Sequence, residues 1–413
     1  MPPPDDGLRG EGFRRFWRAA AVSGLGTYVT LFALQALVVL TLHGSAADVG
    51  WVNAARWLPY LLVGLVVGAV VDGRRRLPLL IGTDLVQAVV LLLIPLLWWL
   101  DVLTLPVLVA VVLGYGTAAV ISSAAEMSLF PRLVPRSLLQ PAHARIDGTD
   151  AAASTVGPAL GGVLVSTIGA PVAVLVDALS YLYSAWTLRG IRLEEPASRT
   201  GVTVRQLLAD VREGVRWVYA GSGLSTLAVA THLWFAAHAI VGVVLAPYVL
   251  RTLDLSAAQF GIIGAVGGVG AVVGAAITTA VGRRLGTGLT IITCHLVHVV
   301  AAVVFLLAGT GAGPGLALVV VAVGQGMYGL AMGMSNSHEM SYRQLVTPDE
   351  LQARTNTTMR SLNRAVVVFV APVAGIVADG WGIRPMFAVA AVVFALSATV
   401  LAVTPFRTVR APV

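Results

Sequence analysis

The chain has 413 residues, of which 57% are hydrophobic and only 11% are charged, and its mean hydropathy is +0.86. A soluble domain carries about 25% charged residues, so this composition excludes a water-soluble globular protein. The formal net charge of +7 would suit a nucleic-acid-binding protein, but the basic residues are spread over short connecting segments, and we predict no nucleic-acid partner.

Apolar blocks of about twenty residues, the length that crosses a bilayer core as a helix, recur along the whole chain. We predict an all-α membrane protein with twelve transmembrane helices in two pseudo-symmetric six-helix bundles. The predicted spans lie near residues 20–42, 49–71, 78–100, 103–125, 146–167, 171–188, 224–248, 257–281, 286–308, 314–336, 360–378 and 384–404. The first block is too long for a signal peptide and leads directly into a second span, so we expect it to be uncleaved.

The basic residues indicate the orientation in the membrane. All of them are arginines, and all but Arg56, Arg251 and Arg384 fall in the N-terminal tail or in connections on one side of the predicted topology. Cytoplasmic loops carry an excess of Lys and Arg. We therefore predict a multi-pass protein of the cell (inner, cytoplasmic) membrane, with both termini in the cytoplasm, and we expect a monomer.

Two residue counts exclude several kinds of site. Because the chain contains no lysine, it cannot form a Walker A phosphate loop or a lysine Schiff base. Its single cysteine, Cys294, cannot form a disulfide within one chain and is expected to pack as a small apolar residue. We predict no cofactor and no metal site.

A polar stretch divides the chain into three segments. We predict an N-terminal six-helix bundle over residues 1–188, a cytoplasmic linker over 189–221 and a C-terminal six-helix bundle over 222–413. Within the linker, residues 202–219 place apolar side chains at helical spacing with charged ones between them, which predicts an amphipathic helix. This helix would lie on the membrane surface or on the inner face of the protein, or would form a regulatory partner site.

The two halves are related in sequence. Residues 125–128 (AEMS) recur 213 positions later as 338–341 (HEMS), and the spacing of Pro158 and Gly161 recurs 214 positions later at Pro372 and Gly375. An offset of half the chain indicates a duplication, and parallel repeats of this kind place a substrate site at their interface near mid-membrane.

Residues 264–274 (GAVGGVGAVVG) resemble a nucleotide-binding glycine run. They lie inside an apolar block with no soluble strand before it. Small residues at this spacing let membrane helices approach closely, so helix packing is the favoured interpretation.

The end of the second span carries the first family resemblance. Gly68 is followed four residues later by Asp72 and then by Arg74, Arg75 and Arg76, which resembles motif A of the major facilitator superfamily. The resemblance implies the major facilitator fold and a cytoplasmic latch made by these residues, although the spacing from the aspartate to the arginines is shorter than usual. We predict that Glu126, at the cytoplasmic end of the fourth span, pairs with this arginine cluster.

The fifth span carries a second resemblance. Gly157, Pro158, Gly161 and Gly162 resemble motif C, which is associated with drug-exporting antiporters of the same superfamily; Ala153 stands where that motif has a glycine. The flanking sequences FPRLVPRSLLQPA and DALSYLYSA are similar to the branch that contains macrolide efflux and enterobactin export proteins. The resemblance implies an exporter and not an enzyme.

Polar and aromatic residues on helices that line the pore in this superfamily are the candidate cavity residues. They are Gln35, Asn53, Arg56, Trp57, Tyr60, His232, Phe235, His238, Gln325 and Arg364. As a set they suit a large amphiphilic ligand, while any single one could instead form an interhelical hydrogen bond or an interfacial contact. His295 and His298 are expected to pack or to face lipid.

Carboxylates inside spans need a partner, a proton or water. The candidates for proton coupling are Asp150, Glu126 and Glu339, of which we favour Asp150. Its repeat equivalent is Arg364, and a fixed ion pair between these two residues is the alternative. Asp84 is expected to join the motif A network, and Asp177 to form a hydrogen bond between helices.

Together these features predict a secondary active transporter that exports an amphiphilic small molecule, such as a drug, a siderophore or another natural product, in exchange for protons by alternating access. Its partners would be that substrate, protons and the lipid bilayer. A lipid or lysolipid transporter of the same fold is the first alternative, and a membrane scaffold or sensor that does not transport is the second.

Overall fold

The computed structural model describes residues 7–62, 67, 71, 74–193, 204–221, 223–309 and 313–410, and within them every regular element is helical. Eleven helices in this part of the chain are long and apolar enough to cross a membrane. In chain order the helices at the twelve predicted spans are α1 Glu11–Ala36, α2 Ala46–Leu62, α3 Arg76–Trp99, α4 Leu105–Leu129, α5 Leu139–Ile168, α6 Leu175–Leu188, α7 Ser225–Pro247, α8 Ala257–Leu285, α9 Thr287–Leu307, α10 Pro314–Val346, α11 Asp349–Trp381 and α12 Ile383–Ala402; the eleven are all of these except α2.

Each predicted span overlaps one of these helices. Most of the second span beyond Leu62 lies outside the described residues. Three helices begin well before the predicted spans: α1 at Glu11, α5 at Leu139 and α11 at Asp349. The prediction of these starts was wrong because hydropathy marks only the part of a helix that contacts lipid. Helical hydrogen bonding continues through the polar turns on either side of the apolar block.

The residues cluster into two compact units. The first comprises Met1–Leu42 and Ala55–Val204, and the second comprises His43–Ala54 and Arg205–Val413. The segment His43–Ala54 clusters with the second unit because the Asp379 carboxylate accepts hydrogen bonds from two amide groups at the start of α2, over 3.0 and 3.1 Å.

Each unit packs its helices by the same scheme. In the first, α1 packs on α5 and α6, and α3 packs on α4 and α6; in the second, α7 packs on α11 and α12, and α9 packs on α10 and α12. Unusual backbone features recur as well. Both α1 and α7 end in a π-helical turn, at Leu37–Thr41 and Tyr248–Thr252. His43 and Asp254, each two residues beyond such a turn, both have a φ of 51°.

The glycine run in α8 forms a close helix crossing, as predicted. A methyl group added at Gly270 or Gly274 would collide with backbone atoms of Gly326 or Leu330 on α10, and one added at Gly329 or Gly333 of α10 would collide with the backbone of α8. Glycine is required on both helices because their backbones are in contact.

The predicted amphipathic segment forms the linker helix, Val204–Arg216. Its acidic residues reach the start of α11: Arg354 lies 2.9 Å from Asp210 and 2.6 Å from Glu213. Gly214 is buried against Thr358 of the same helix. The linker helix therefore docks on the second unit, which supports the interpretation that it lies on a protein face.

Candidate functional site

A cavity of about 430 Å³ lies inside the first unit and is lined by residues of α1 to α6. Part of its wall is aromatic, and the charged groups along it are mostly acidic. The aromatic residues are Phe16, Trp17, Tyr28, Trp57, Tyr60, Tyr115 and Tyr181, and the charged ones are Arg56, Asp84, Glu126, Asp147 and Asp150. Five candidates from the sequence (Arg56, Trp57, Tyr60, Glu126 and Asp150) thus share one cavity.

Asp150 faces α1. Its two carboxylate oxygens lie 3.3 and 3.2 Å from the hydroxyl of Tyr28, which donates a hydrogen bond to them. Gly157, two turns further along α5, is buried against the same tyrosine, and Gly161 is buried against Phe32. The glycines of motif C therefore let α5 approach α1 closely and hold Asp150 at the cavity wall. Because α5 begins at Leu139, Asp150 lies about three turns into the helix, whereas the predicted span, which begins at residue 146, placed it about one turn in.

Arg56, Trp57 and Tyr60 form one wall of the cavity from α2. The Arg56 guanidinium lies 4.7 Å from the centroid of the Trp57 ring, and the rings of Trp57 and Tyr60 are 5.4 Å apart. This arrangement holds the arginine against an aromatic face. Aromatic surface and a positive charge are thus both presented to the cavity.

A chain of hydroxyl groups crosses the interior. The hydroxyls of Thr27, Tyr181 and Tyr115 are linked over 3.1 Å at each step, and the buried Asp84 accepts a hydrogen bond of 2.6 Å from Ser184. From the sequence, we expected Asp84 in the motif A network. We did not single out Thr27, Tyr115, Tyr181 or Ser184, because each of them is an isolated polar residue inside an apolar block. The spacing of Tyr181 and Ser184 on one face of α6 was the available signal.

The other cavity candidates lie elsewhere. Gln35 is half-buried in α1 and is not part of the cavity wall. Asn53 clusters with the second unit and lies beside Gly242. Gln325 packs over Gly267 of α8, as the interhelical packing interpretation predicts. Arg364 lies on α11, and its role stays a prediction.

His232, Phe235 and His238 lie on α7 in the second unit. His232 is hydrogen-bonded to Tyr219 and, over 2.7 Å, to the amide oxygen of Asn363. His238 is bonded over 2.6 Å to the hydroxyl of Tyr328, and its ring stacks on Trp234 with centroids 4.9 Å apart. Phe235 packs edge-on against the same tryptophan. These residues form part of a packed ring cluster.

Motif A is described in part. Gly68 and Asp72 lie outside the described residues, whereas Arg74 and Arg75 are exposed and Arg76 is buried. The latch, including its pairing with Glu126, stays a prediction. Asp177 is buried in α6 and accepts a hydrogen bond of 3.0 Å from Ser180 of its own helix.

The comparisons with known proteins agree with this architecture. A family model described as "Transmembrane secretion effector" matches residues 6–412. Multidrug efflux pump Tap of Mycolicibacterium fortuitum is 31% identical over 220 residues, which are 51% of this chain and 53% of Tap. Macrolide efflux protein A of Streptococcus pyogenes is 24% identical over 221 residues, 52% of this chain and 53% of that protein. The chain thus spans about half the length of the curated relatives that it matches.

Among solved structures, a variant of the nucleoside transporter NupG superposes with a TM-score of 0.76 over 95% of this chain and 99% of that one, at 12% identity. Such a low identity shows the fold alone. With the match of the family model over nearly the whole length and the paired helical units, it confirms the predicted fold class. The chain is a multi-pass membrane protein and belongs to the transmembrane secretion effector family of the major facilitator superfamily.

Proposed function

We propose that this protein exports an amphiphilic small molecule, such as a drug or a siderophore, in exchange for protons by alternating access. The observation that carries the proposal is the cavity of the first unit, which combines aromatic walls with four carboxylates and one arginine. Aromatic rings bury the apolar part of a ligand and attract a cationic group over their faces. The acidic excess favours a substrate with a basic or cationic group over an anionic one.

The names of the relatives agree with this substrate class. The matched halves of proteins named multidrug efflux pump Tap and macrolide efflux protein A support a drug-like substrate and export over import. The arginine distribution predicts that both termini lie in the cytoplasm, and this orientation can be tested separately. In a Cys294→Ser background, cysteines at the exposed Asp101 and Asp254 should react with an impermeant maleimide added outside, and one at Arg136 should not; the reverse pattern overturns the orientation.

Asp150 is the residue that we propose to couple the proton. Its carboxylate is open to the cavity and is held by one hydroxyl donor, Tyr28, so it can be reached by both a proton and a cationic substrate. The proton and the cationic substrate would then bind to the same carboxylate. Because one carboxylate compensates only one positive charge, each of them binds only after the other has left.

The test uses proteoliposomes and ethidium, a fluorescent amphiphilic cation. Asp150→Asn should abolish ethidium accumulation driven by a pH gradient and preserve its downhill equilibration. The matched control is Asp147→Asn, which removes a carboxylate one turn away on the same cavity wall and should retain gradient-driven uptake. Loss of both activities in Asp150→Asn would indicate a structural role, and full retention of uphill transport would remove Asp150 from coupling.

A further inference from the structure

The second unit contains a histidine–glutamate pair buried between α9 and α10. The Nε2 atom of His295 lies 3.8 Å from Oε1 of Glu339. The imidazole is completely buried, whereas the glutamate side chain keeps 22% of its surface exposed. Of the two expected roles, packing or facing lipid, the structure shows packing, because the ring is completely buried.

A serine on α12 fixes which nitrogen of His295 carries a hydrogen. The Ser397 hydroxyl donates its one hydrogen to the carbonyl of Ala230, over 2.6 Å. It can therefore only accept from Nδ1 of His295, which lies 2.8 Å away. With Nδ1 as the donor, Nε2 of a neutral imidazole has a lone pair directed at the carboxylate.

Two lone-pair-bearing groups that face each other in a buried site repel unless a proton lies on one of them. Nε2 has no hydrogen-bond partner, so no other group relieves this repulsion. Either an imidazolium faces a carboxylate, or a neutral imidazole faces a carboxylic acid. Both arrangements hold one proton on the pair, and the exposed edge of Glu339 offers the proton a route to and from it.

The neighbours of the pair come from four helices. Thr231 of α7 donates to Oε2 of Glu339 over 3.3 Å, and the His298 ring lies 6.4 Å from that of His295. Cys294 of α9 and Arg343 of α10 interact electrostatically with Glu339. His238 of α7 and Tyr328 of α10 lie near His298, and His338 of α10 is bonded to the carbonyl of Thr278. Within the described residues, no group of three His, Cys, Asp or Glu side chains could hold a metal ion, which leaves a proton as the fitting ligand.

The duplication places a matching site in the first unit. At offsets of 211 to 213 residues, His295, Glu339 and Ser397 correspond to Asp84, Glu126 and Ser184. There, Ser184 donates to Asp84, and Glu126 lines the same cavity. Both units thus place two titratable side chains on the third and fourth helices of the repeat, and a serine of the sixth helix is hydrogen-bonded to one of them.

We infer that His295 and Glu339 form a second proton-binding site, separate from Asp150, and that this site holds one exchangeable proton. The inference rests on the proposed proton exchange for its role in transport. Proton binding itself can be measured without transport, so the two proposals can fail separately.

The test is ¹⁵N NMR of histidine-labelled full-length protein in lipid nanodiscs between pH 5 and 9. The His295 signal, assigned with His295→Asn, should show Nδ1 protonated throughout. The one proton of the pair should be lost within this pH range, from Nε2 or from the Glu339 carboxyl, which is followed by ¹³C in glutamate-labelled protein. Glu339→Gln should lower the proton affinity of His295 by about tenfold or more, since it removes an opposite charge within about 4 Å. Ser397→Ala should allow both tautomers of the neutral ring.

The matched control is His298→Asn, one turn along the same helix, where the ring is bonded to the carbonyl of Cys294; the titration of the pair should persist there. A His295 ring that stays neutral, together with a Glu339 carboxyl that stays ionised, at every pH in the native protein overturns the inference. If instead the pair titrates as expected while ethidium is not transported, the proton site stands and the proposed function fails.

Discussion

The two units share one packing scheme, but their interiors differ. In the second unit, five rings fill the space between α7, α9, α10 and α12: His298 lies 4.5 Å from Tyr328 and 5.1 Å from Phe394, and Trp234 stacks on His238. The repeat equivalents of these residues in the first unit are Tyr115, Tyr181, Ser23, Thr27 and Gln87, all of which line the cavity. Two large rings are replaced by Ser23 and Thr27, and an imidazole by a glutamine. The comparison teaches that backbone crossings preserve the fold, while a few side-chain sizes decide whether this part of the interior is open or filled.

The first prediction concerns a close helix crossing that occurs at matching positions in the two units. Gly116 of α4 lies against the backbone of Arg56 on α2, and Gly329 of α10 lies against that of Gly267 on α8, at matching repeat positions. Gly116→Leu or Gly329→Leu should each abolish folded protein, because the colliding atoms belong to a backbone that cannot turn aside; overpacking costs about 1–3 kcal/mol even where side chains can adjust. The measurement is the yield of monodisperse protein by fluorescence size-exclusion chromatography.

Gly82→Leu in α3 is the control for that experiment, since nothing lies within 4 Å of a methyl group added there. It should behave like the native protein. If only one of the two crossing variants folds, the two crossings tolerate an added side chain differently. The two units would then share their helix arrangement but not the tightness of this crossing.

How far the sequence predicts this molecule follows from the same comparison. The spans, the duplication and the glycine crossing were predictable because they depend on hydropathy, on repeated residues and on spacing within one helix. The His295–Glu339 pair was not, although both residues were visible, because their approach depends on the packing of α9 against α10. The cavity was predicted only in part: Tyr28 and Tyr181 contribute to it through contacts between helices that are far apart in the chain.

The second prediction makes the first unit resemble the second. Ser23→Trp introduces the ring that Trp234 has at the equivalent position, and it should fill part of the cavity of about 430 Å³. Ethidium export from intact cells should fall by about tenfold or more, because the tryptophan ring takes the place of bound ligand. A loss of about 1.4 kcal/mol of binding free energy weakens binding tenfold. Expression and the apparent melting temperature should change little, since the cavity can accept the side chain.

Ser23→Ala is the matched control, because it removes the hydroxyl, which is bonded only within its own helix over 2.9 Å, and leaves the space open. It should export ethidium at the native rate. Ethidium export at the native rate in Ser23→Trp would show that the substrate does not use this cavity.

The smallest expected effect concerns a contact that the first unit lacks. Arg354 pairs with Asp210 and Glu213 of the linker helix, whereas the residue 213 positions earlier is Pro141. All three side chains are about one-third to one-half exposed, and ion pairs of this kind contribute about 0.2–1 kcal/mol each. Arg354→Ala should therefore lower the apparent melting temperature by a few degrees at most, with the difference shrinking in about 1 M salt.

Hydrogen exchange should report the loss of these ion pairs more clearly, as faster exchange confined to the linker helix. The control is Arg360→Ala, which removes an exposed arginine that lies on α11, as Arg354 does; it should leave that exchange unchanged. Arg354→Glu should accelerate exchange further by repulsion, and adding Asp210→Arg and Glu213→Arg should reverse the effect. If exchange of the linker helix is unaffected by every one of these variants, its attachment to α11 depends on the buried contact of Gly214 with Thr358 and not on charge.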